Sequence, residues 1–190
     1  MPTISKKGLN IPSSPIRKLV PYADKAKKNG IDILHLNIGQ PDIKSPIESI
    51  DAIKNIDIEL LKYEYSQGSH KFRKNLCSYY SGHNINVSPD DIITTVGASE
   101  ALSFTMTSIC DPGDEVIIPE PFYANYNGFA QASDVKVIPV TSKIEDNFAL
   151  PSIELFEKKI NNRTKAILIC NPCNPTGYVY SKEEIINIAN

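Results

Sequence analysis

Asn171-Pro172-Cys173-Asn174-Pro175-Thr176-Gly177 is the segment of this 190-residue chain whose residue types point most directly to chemistry. Two prolines stiffen the backbone while two asparagine side chains offer amide donors and acceptors, a costly arrangement for a mere connection. Gly97-Ala98-Ser99 is a second candidate, because small residues, a hydroxyl and the first free N–H groups of an expected helix make an anion site by geometry and dipole. The plain alternative there is N-capping by a small residue, and Glu100 in the same turn would repel a phosphate unless it points around the helix. In Pro119-Glu120-Pro121-Phe122-Tyr123, the Tyr123 ring could stack on a ligand or serve as core. Cys170 and Cys173 frame a C-x-x-C, which raises a redox dithiol or half a zinc site. Zinc would need two more ligands, but no second C-x-x-C and no paired histidine motif occurs, and His35, His70 and His83 are scattered. No metal-ligand set is therefore assigned. Neither of the glycine-rich nucleotide-binding fingerprints is present.

Loops of this kind need a frame that delivers them to one edge. Ile92–Val96 is β-branched and bounded by Asp and Gly, so it is predicted as a strand. Strands are also predicted over 116–118, 135–138 and 166–170. Helices fall between them over about 98–109, 122–131 and from Ser152, the last with Ile153, Phe156 and Ile160 inward. Asp111-Pro112-Gly113-Asp114 is the turn between the first helix and the second strand. Strands alternating with helices imply a mostly parallel sheet in a three-layer α/β sandwich, in which ligands bind beyond the carboxyl ends of the strands. The three chemical loops follow strands 92–96, 116–118 and 166–170.

Upstream, Ser14 and Pro15 signal a helix start, with Ile16, Leu19, Val20 and Ala23 on one face and Gly30 as the stop. Lys25, Lys27 and Lys28 suit the negative end of that helix. Ile33–Leu36 leads to a bend at Gly39-Gln40-Pro41-Asp42. Ser45-Pro46-Ile47-Glu48 carries a capping-box pattern, and Phe72, Leu76, Tyr79 and Tyr80 recur with helical spacing over about 69–80. Ser181-Lys182-Glu183-Glu184 is a further capping box, whose helix reaches the last residue, Asn190, after less than three turns; the chain is expected to be the front part of something longer.

Composition excludes several classes. With 20 Lys and Arg against 22 Asp and Glu, the net charge of −2 offers no electrostatic footprint for nucleic acid or an anionic membrane. Apolar runs fall well short of the roughly 18 residues that span a bilayer. No secretory signal is legible at the N-terminus, so a cytoplasmic protein is expected, with Cys77, Cys110, Cys170 and Cys173 reduced and the Asn162-Arg163-Thr164 sequon silent.

The loop Asn171–Gly177 resembles the NPxNPTG signature of the class I/II pyridoxal-phosphate (PLP) aminotransferases, a fold type I family. LNIGQPD at 36–42 is similar to the family's N-terminal glycine segment. YEYSQGSHKFR at 63–73 is similar to its segment with Tyr63, Gly68 and Arg73, TTVGASEAL at 94–102 to its phosphate loop, and PEPFYANY at 119–126 to its ring-stacking segment. The resemblance implies that residues 1–45 belong to the small domain or an N-terminal arm, and 46–190 to the front of an incomplete large PLP-binding domain. It implies that Gly39 lies against the substrate carboxylate, that Ala98 and Ser99 hold the cofactor phosphate, and that Tyr123 stacks on the pyridine ring. Asn174 would bond the ring's 3-oxygen, and Tyr63 would reach the phosphate of the neighbouring subunit, making a homodimer. The implied activity is transfer of an amino group between an amino acid and a 2-oxo acid; a carbon–sulfur lyase of the same fold and a non-catalytic fragment are the alternatives. The family's Schiff-base lysine is expected beyond Asn190, so residues 1–190 are expected to be inactive alone and no catalytic residue is assigned within them.

Overall fold

A computed structural model describes residues 2–190, which form two compact units: the chain up to Leu19 together with Gly97–Asn190, and Val20–Val96. The boundary at 45/46, which concerns the domains of a whole protein, lies within the second unit.

The first unit opens with a short helix α1 (Lys6–Asn10), which the sequence pattern did not reveal. Its Ser5 side chain accepts from the Gly8 N–H at 3.0 Å, and Lys7 ion-pairs with Asp134. Ser14 does cap the next turn, accepting the Arg17 N–H at 3.3 Å, but that turn is a 3-10 turn over Arg17–Leu19. In the second unit, helix α2 (Val20–Lys28) ends at Gly30, whose φ of +79° only glycine adopts without strain. Helix α3 (Ile47–Lys54) starts one residue late for the expected capping box. Pro46 occupies the N-cap with no side-chain bond, because proline has none to give and Ser45 stands outside the helix.

Helix α4 (His70–Ser81) is anchored by a buried Arg73. Its Nε donates to the Gly68 carbonyl at 3.2 Å and its guanidinium also donates to the Pro89 carbonyl, with Asp90 at 3.7 Å. Gly68 itself has φ +93°, and a Cβ there would lie 1.6 Å from Thr94 Oγ1. Thr94 in turn donates its N–H to the Gln67 carbonyl at 2.9 Å. Residues 92–96 are consequently not a strand: the Thr94 backbone bonds this turn, and among the described residues no neighbouring strand forms a ladder with them.

Helix α5 (Gly97–Ile109) returns the chain to the first unit and leads through the 111–114 turn into strand β1 (Glu115–Glu120). Helix α6 (Tyr126–Ala132), strand β2 (Lys136–Thr141), helix α7 (Ile153–Glu157), strand β3 (Thr164–Ile167) and helix α8 (Lys182–Ala189) follow. All pairings are parallel in the order β2-β1-β3, with Val116 opposite Val137 and Ala166. β1 is central and its period of two divides the core. Val116 and Ile118 meet Met106 of α5 and Tyr126 and Ala130 of α6 on one face, while Ile117 meets Val140, Phe156 and Ile188 on the other. This is a three-layer α/β sandwich, each fully buried aliphatic side chain contributing about 1.5–3 kcal/mol.

Several expectations fail at the margins, and β3 ends at Ile167 rather than 170. α6 starts at Tyr126 rather than 122, because Pro121–Asn125 is spent on a loop, and Ile160 is exposed because α7 ends three residues before it.

Candidate functional site

β1 delivers the first loop. After Glu120 the chain turns through Pro121 and Phe122 to Tyr123, a half-buried ring whose hydroxyl accepts from Asn125 Nδ2 at 2.7 Å. The Tyr123 and Tyr126 rings stand edge to face, centroids 5.4 Å apart at 87°, and Phe122 lies 6.0 Å from Tyr126. Tyr126 is buried. Burial first, then the neighbouring Cys170 and Cys173 sulfurs, push its phenol up to about 12, so it stays neutral at any physiological pH.

β3 delivers the second loop. Beyond Ile167, Leu168 still donates its N–H to the Ile117 carbonyl at 2.9 Å, and the chain then folds on itself. Cys173 N–H donates to the Tyr178 carbonyl at 2.8 Å and Gly177 N–H to the Cys173 carbonyl at 2.7 Å. The two asparagines have separate fates. Asn171 Oδ1 accepts the N–H of buried Tyr180 at 3.0 Å, so this amide is consumed by the fold. The exposed Asn174 side chain has no partner within the chain among the described residues.

The loop is tied at both ends. Cys173 Sγ donates to the Pro121 carbonyl at 3.6 Å, joining it to the Tyr123 loop. Tyr178 donates its hydroxyl to Glu184 at 3.1 Å, and Glu184 also accepts the N–H groups of Leu150 and Ser181 at 2.9 and 2.7 Å. Burial works against the charge on Glu184, but these bonds hold its carboxyl below the usual range. Cys170 Sγ donates to the Pro172 carbonyl at 3.3 Å. All four cysteines are free, and among the described residues no group of three or more His, Cys, Asp or Glu could hold a metal ion.

The third loop belongs to α5. The short 111–114 turn joins this helix to β1, and Met106 of the helix packs against Val116 and Ile118 of the strand. Gly97, with φ +75°, turns the chain into the helix, and Ala98 and Ser99 are exposed in its first turn. The loops bearing Tyr123 and Asn174 follow the adjacent parallel strands β1 and β3 and are joined by the Cys173–Pro121 bond, while Ala98 and Ser99 open α5 of the same unit. Gly39 and Tyr63 belong to the second unit. Gly39 is exposed with room for a side chain, between Ile38 and Gln40, whose N–H donates to the Ile38 carbonyl at 3.1 Å, and Tyr63 is fully exposed.

Sequence reasoning missed Asn125, Tyr126, Tyr178 and Glu184. The signal for the first pair was the spacing Phe122-Tyr123-x-x-Tyr126, which brings two rings together across a helix start. For the second pair it was a capping-box Glu six residues after a tyrosine.

The fold is that of the fold type I aminotransferases. It superposes on alanine aminotransferase from Pyrococcus furiosus with TM-score 0.87 at 34% identity, covering 98% of this chain and 49% of that one. Aspartate aminotransferase from Thermotoga maritima gives TM-score 0.88 at 30% identity over 97% of this chain and 50% of its own. Aspartate aminotransferase of Pinus pinaster is 32% identical over 170 residues, 88% of this chain and 34% of the relative. Residues 31–190 match the family described as aminotransferase class I and II, and the chain belongs to that family. It spans between 34% and 50% of the length of these three relatives.

Proposed function

We propose that the complete protein is a PLP-dependent aminotransferase that moves an amino group between an amino acid and a 2-oxo acid. The observation that carries this reading is Asn174: an exposed, uncommitted amide on a loop tied to the one bearing Tyr123, while its neighbour Asn171 is committed to the fold. The residues fit the cofactor. Ala98 and Ser99 would hold its phosphate at the positive end of α5, Tyr123 would stack on its pyridine ring, and Asn174 would donate to its 3-oxygen. PLP, when bound, supplies an electron sink for the α-carbon of the amino acid. The chain's own part is to bind and orient: the buried Tyr126 and the Glu184 anchor keep both loops in place.

Gly39 would lie against the substrate carboxylate. The complete protein is read as a homodimer in which Tyr63, fully exposed here, reaches the cofactor phosphate of the neighbouring subunit. Residues 1–45 are read as part of the small domain or arm and 46–190 as the front of the large domain. No helix among the described residues is long and apolar enough to cross a membrane. A cytoplasmic protein is the reading consistent with four unpaired cysteines.

The test is amino-group exchange. The purified complete protein, supplied with PLP, an isotope-labelled amino acid and an unlabelled 2-oxo acid, should move label into the product amino acid. Transfer should weaken in Asn174→Ala and Tyr123→Ala. No transfer across a panel of acidic, small and aromatic amino acids rejects the reading.

A further inference from the structure

We propose that Asn125 and Tyr126 are positioning residues of the cofactor site, which together fix the plane of the Tyr123 ring before anything stacks on it. The inference rests on the reading of Tyr123 given above and adds Asn125 to it, with a specific role for Tyr126. Three observations carry it.

First, Asn125 occupies the N-cap of α6, where an asparagine side chain ordinarily accepts an N–H from the first helical turn, yet it makes no such bond. Its Nδ2 instead donates to the Tyr123 hydroxyl at 2.7 Å. The amide has forgone helix capping to hold a phenol two residues back. Second, the Tyr126 ring is buried against the core and meets Tyr123 edge to face at 5.4 Å and 87°. A half-buried Tyr123 could otherwise turn about its side-chain bonds. With its hydroxyl bonded and its ring braced against an immobile neighbour, it loses little rotamer freedom when a ligand stacks on it. Third, Cys173 Sγ donates to the Pro121 carbonyl at 3.6 Å, so the segment that bears Tyr123 is tied to the loop that bears Asn174. Ring and amide are thereby held in one frame.

Positioning through Tyr123 has a signature that general structural damage does not share: the effect must vanish when Tyr123 is gone. The experiment is a pair of double-mutant cycles on the complete protein, read as the Kd of PLP by fluorescence titration and as the visible circular dichroism of the bound cofactor. Tyr126→Leu should raise the Kd about 3- to 10-fold and reduce the dichroism, the range expected for losing an aromatic pair. Tyr126→Phe, which keeps the ring, should recover most of both. In a Tyr123→Ala background, Tyr126→Leu should add nothing further. Asn125→Ala, a mild change at a half-buried position, should raise the Kd about 3-fold, and should add nothing in a Tyr123→Phe background that lacks the same hydrogen bond.

Equal losses with and without Tyr123, or wild-type affinity and dichroism in both Tyr126→Leu and Asn125→Ala, overturn the inference. If Tyr126→Leu does not fold, the Asn125 cycle decides alone. Failure of the wild-type protein to bind PLP overturns the parent reading and this one with it, whereas binding without coupling overturns only this one.

Discussion

Asn171 and Asn174 stand three residues apart in one loop and should respond oppositely to truncation. Asn171→Ala removes the acceptor for the N–H of Tyr180, a residue only 7% exposed, and leaves that donor poorly placed to find water. An unsatisfied buried donor costs about 1–3 kcal/mol, and the loop Asn171–Gly177 also loses its tie to the segment that enters α8. Asn174→Ala removes an amide with no partner in the chain, so stability should stay within about 0.5 kcal/mol of wild type. Its cost falls on ligand binding instead. A hydrogen bond to a charged oxygen is worth about 1.5–3 kcal/mol, or about 10- to 150-fold in the Kd of PLP. Denaturant midpoints at constant m-value measure the first quantity and PLP titration the second. If Asn174→Ala destabilises as much as Asn171→Ala and leaves PLP affinity unchanged, the division of labour within the loop is wrong.

Gly68→Ala should destabilise by more than about 2 kcal/mol in denaturant melts, since it combines a φ of +93° with a Cβ placed 1.6 Å from Thr94 Oγ1. Glu184 has a folded pKa below its ordinary value of 4.5. Its contribution to stability is therefore complete above pH 4.5 and is lost as pH falls through the lower folded value. Glu184→Gln should flatten that acid limb of the stability profile; an unchanged limb would show that the carboxylate is not held by Leu150, Tyr178 and Ser181. Tyr63→Phe and Asn174→Ala subunits, each impaired alone, should regain about a quarter of wild-type activity when mixed. Half the dimers are then mixed, and each has one site with both residues intact; no regain would place Tyr63 in its own subunit's site.

The central strand was legible because Val116-Ile117-Ile118 is buried on both faces, and a continuous β-branched run records that directly. Ile92-Ile93-Thr94-Thr95-Val96 has the same residue types and is no strand. Side chains record a fit to a pleated surface, whereas a ladder also needs a second backbone alongside. Capping boxes show the same limit. Ser181 and Glu184 form theirs, with bonds of 3.2 and 2.7 Å, because Tyr178 and Leu150 also hold Glu184; the Ser45–Glu48 pattern has no such support, and its helix begins without it. At the candidate site, the strand pattern put the loops bearing Tyr123 and Asn174 after the parallel strands β1 and β3, where the Cys173–Pro121 bond joins them, whereas Ala98 and Ser99 follow a segment that forms no strand. Which asparagine amide the fold consumes could not be read from the sequence, since it depends on a hydrogen bond to Tyr180 nine residues away.

A single half-reaction measures the central claim most directly. The complete protein, loaded with PLP and freed of excess, is mixed with one amino acid and no acceptor, and the 2-oxo acid released is counted against active sites. An aminotransferase releases up to one equivalent as the absorbance of the bound cofactor shifts to that of its amino form, and the 2-oxo acid added back reverses the shift. Binding of PLP with no 2-oxo acid released from any amino acid tested, or release of ammonia with continuous turnover, would contradict the account.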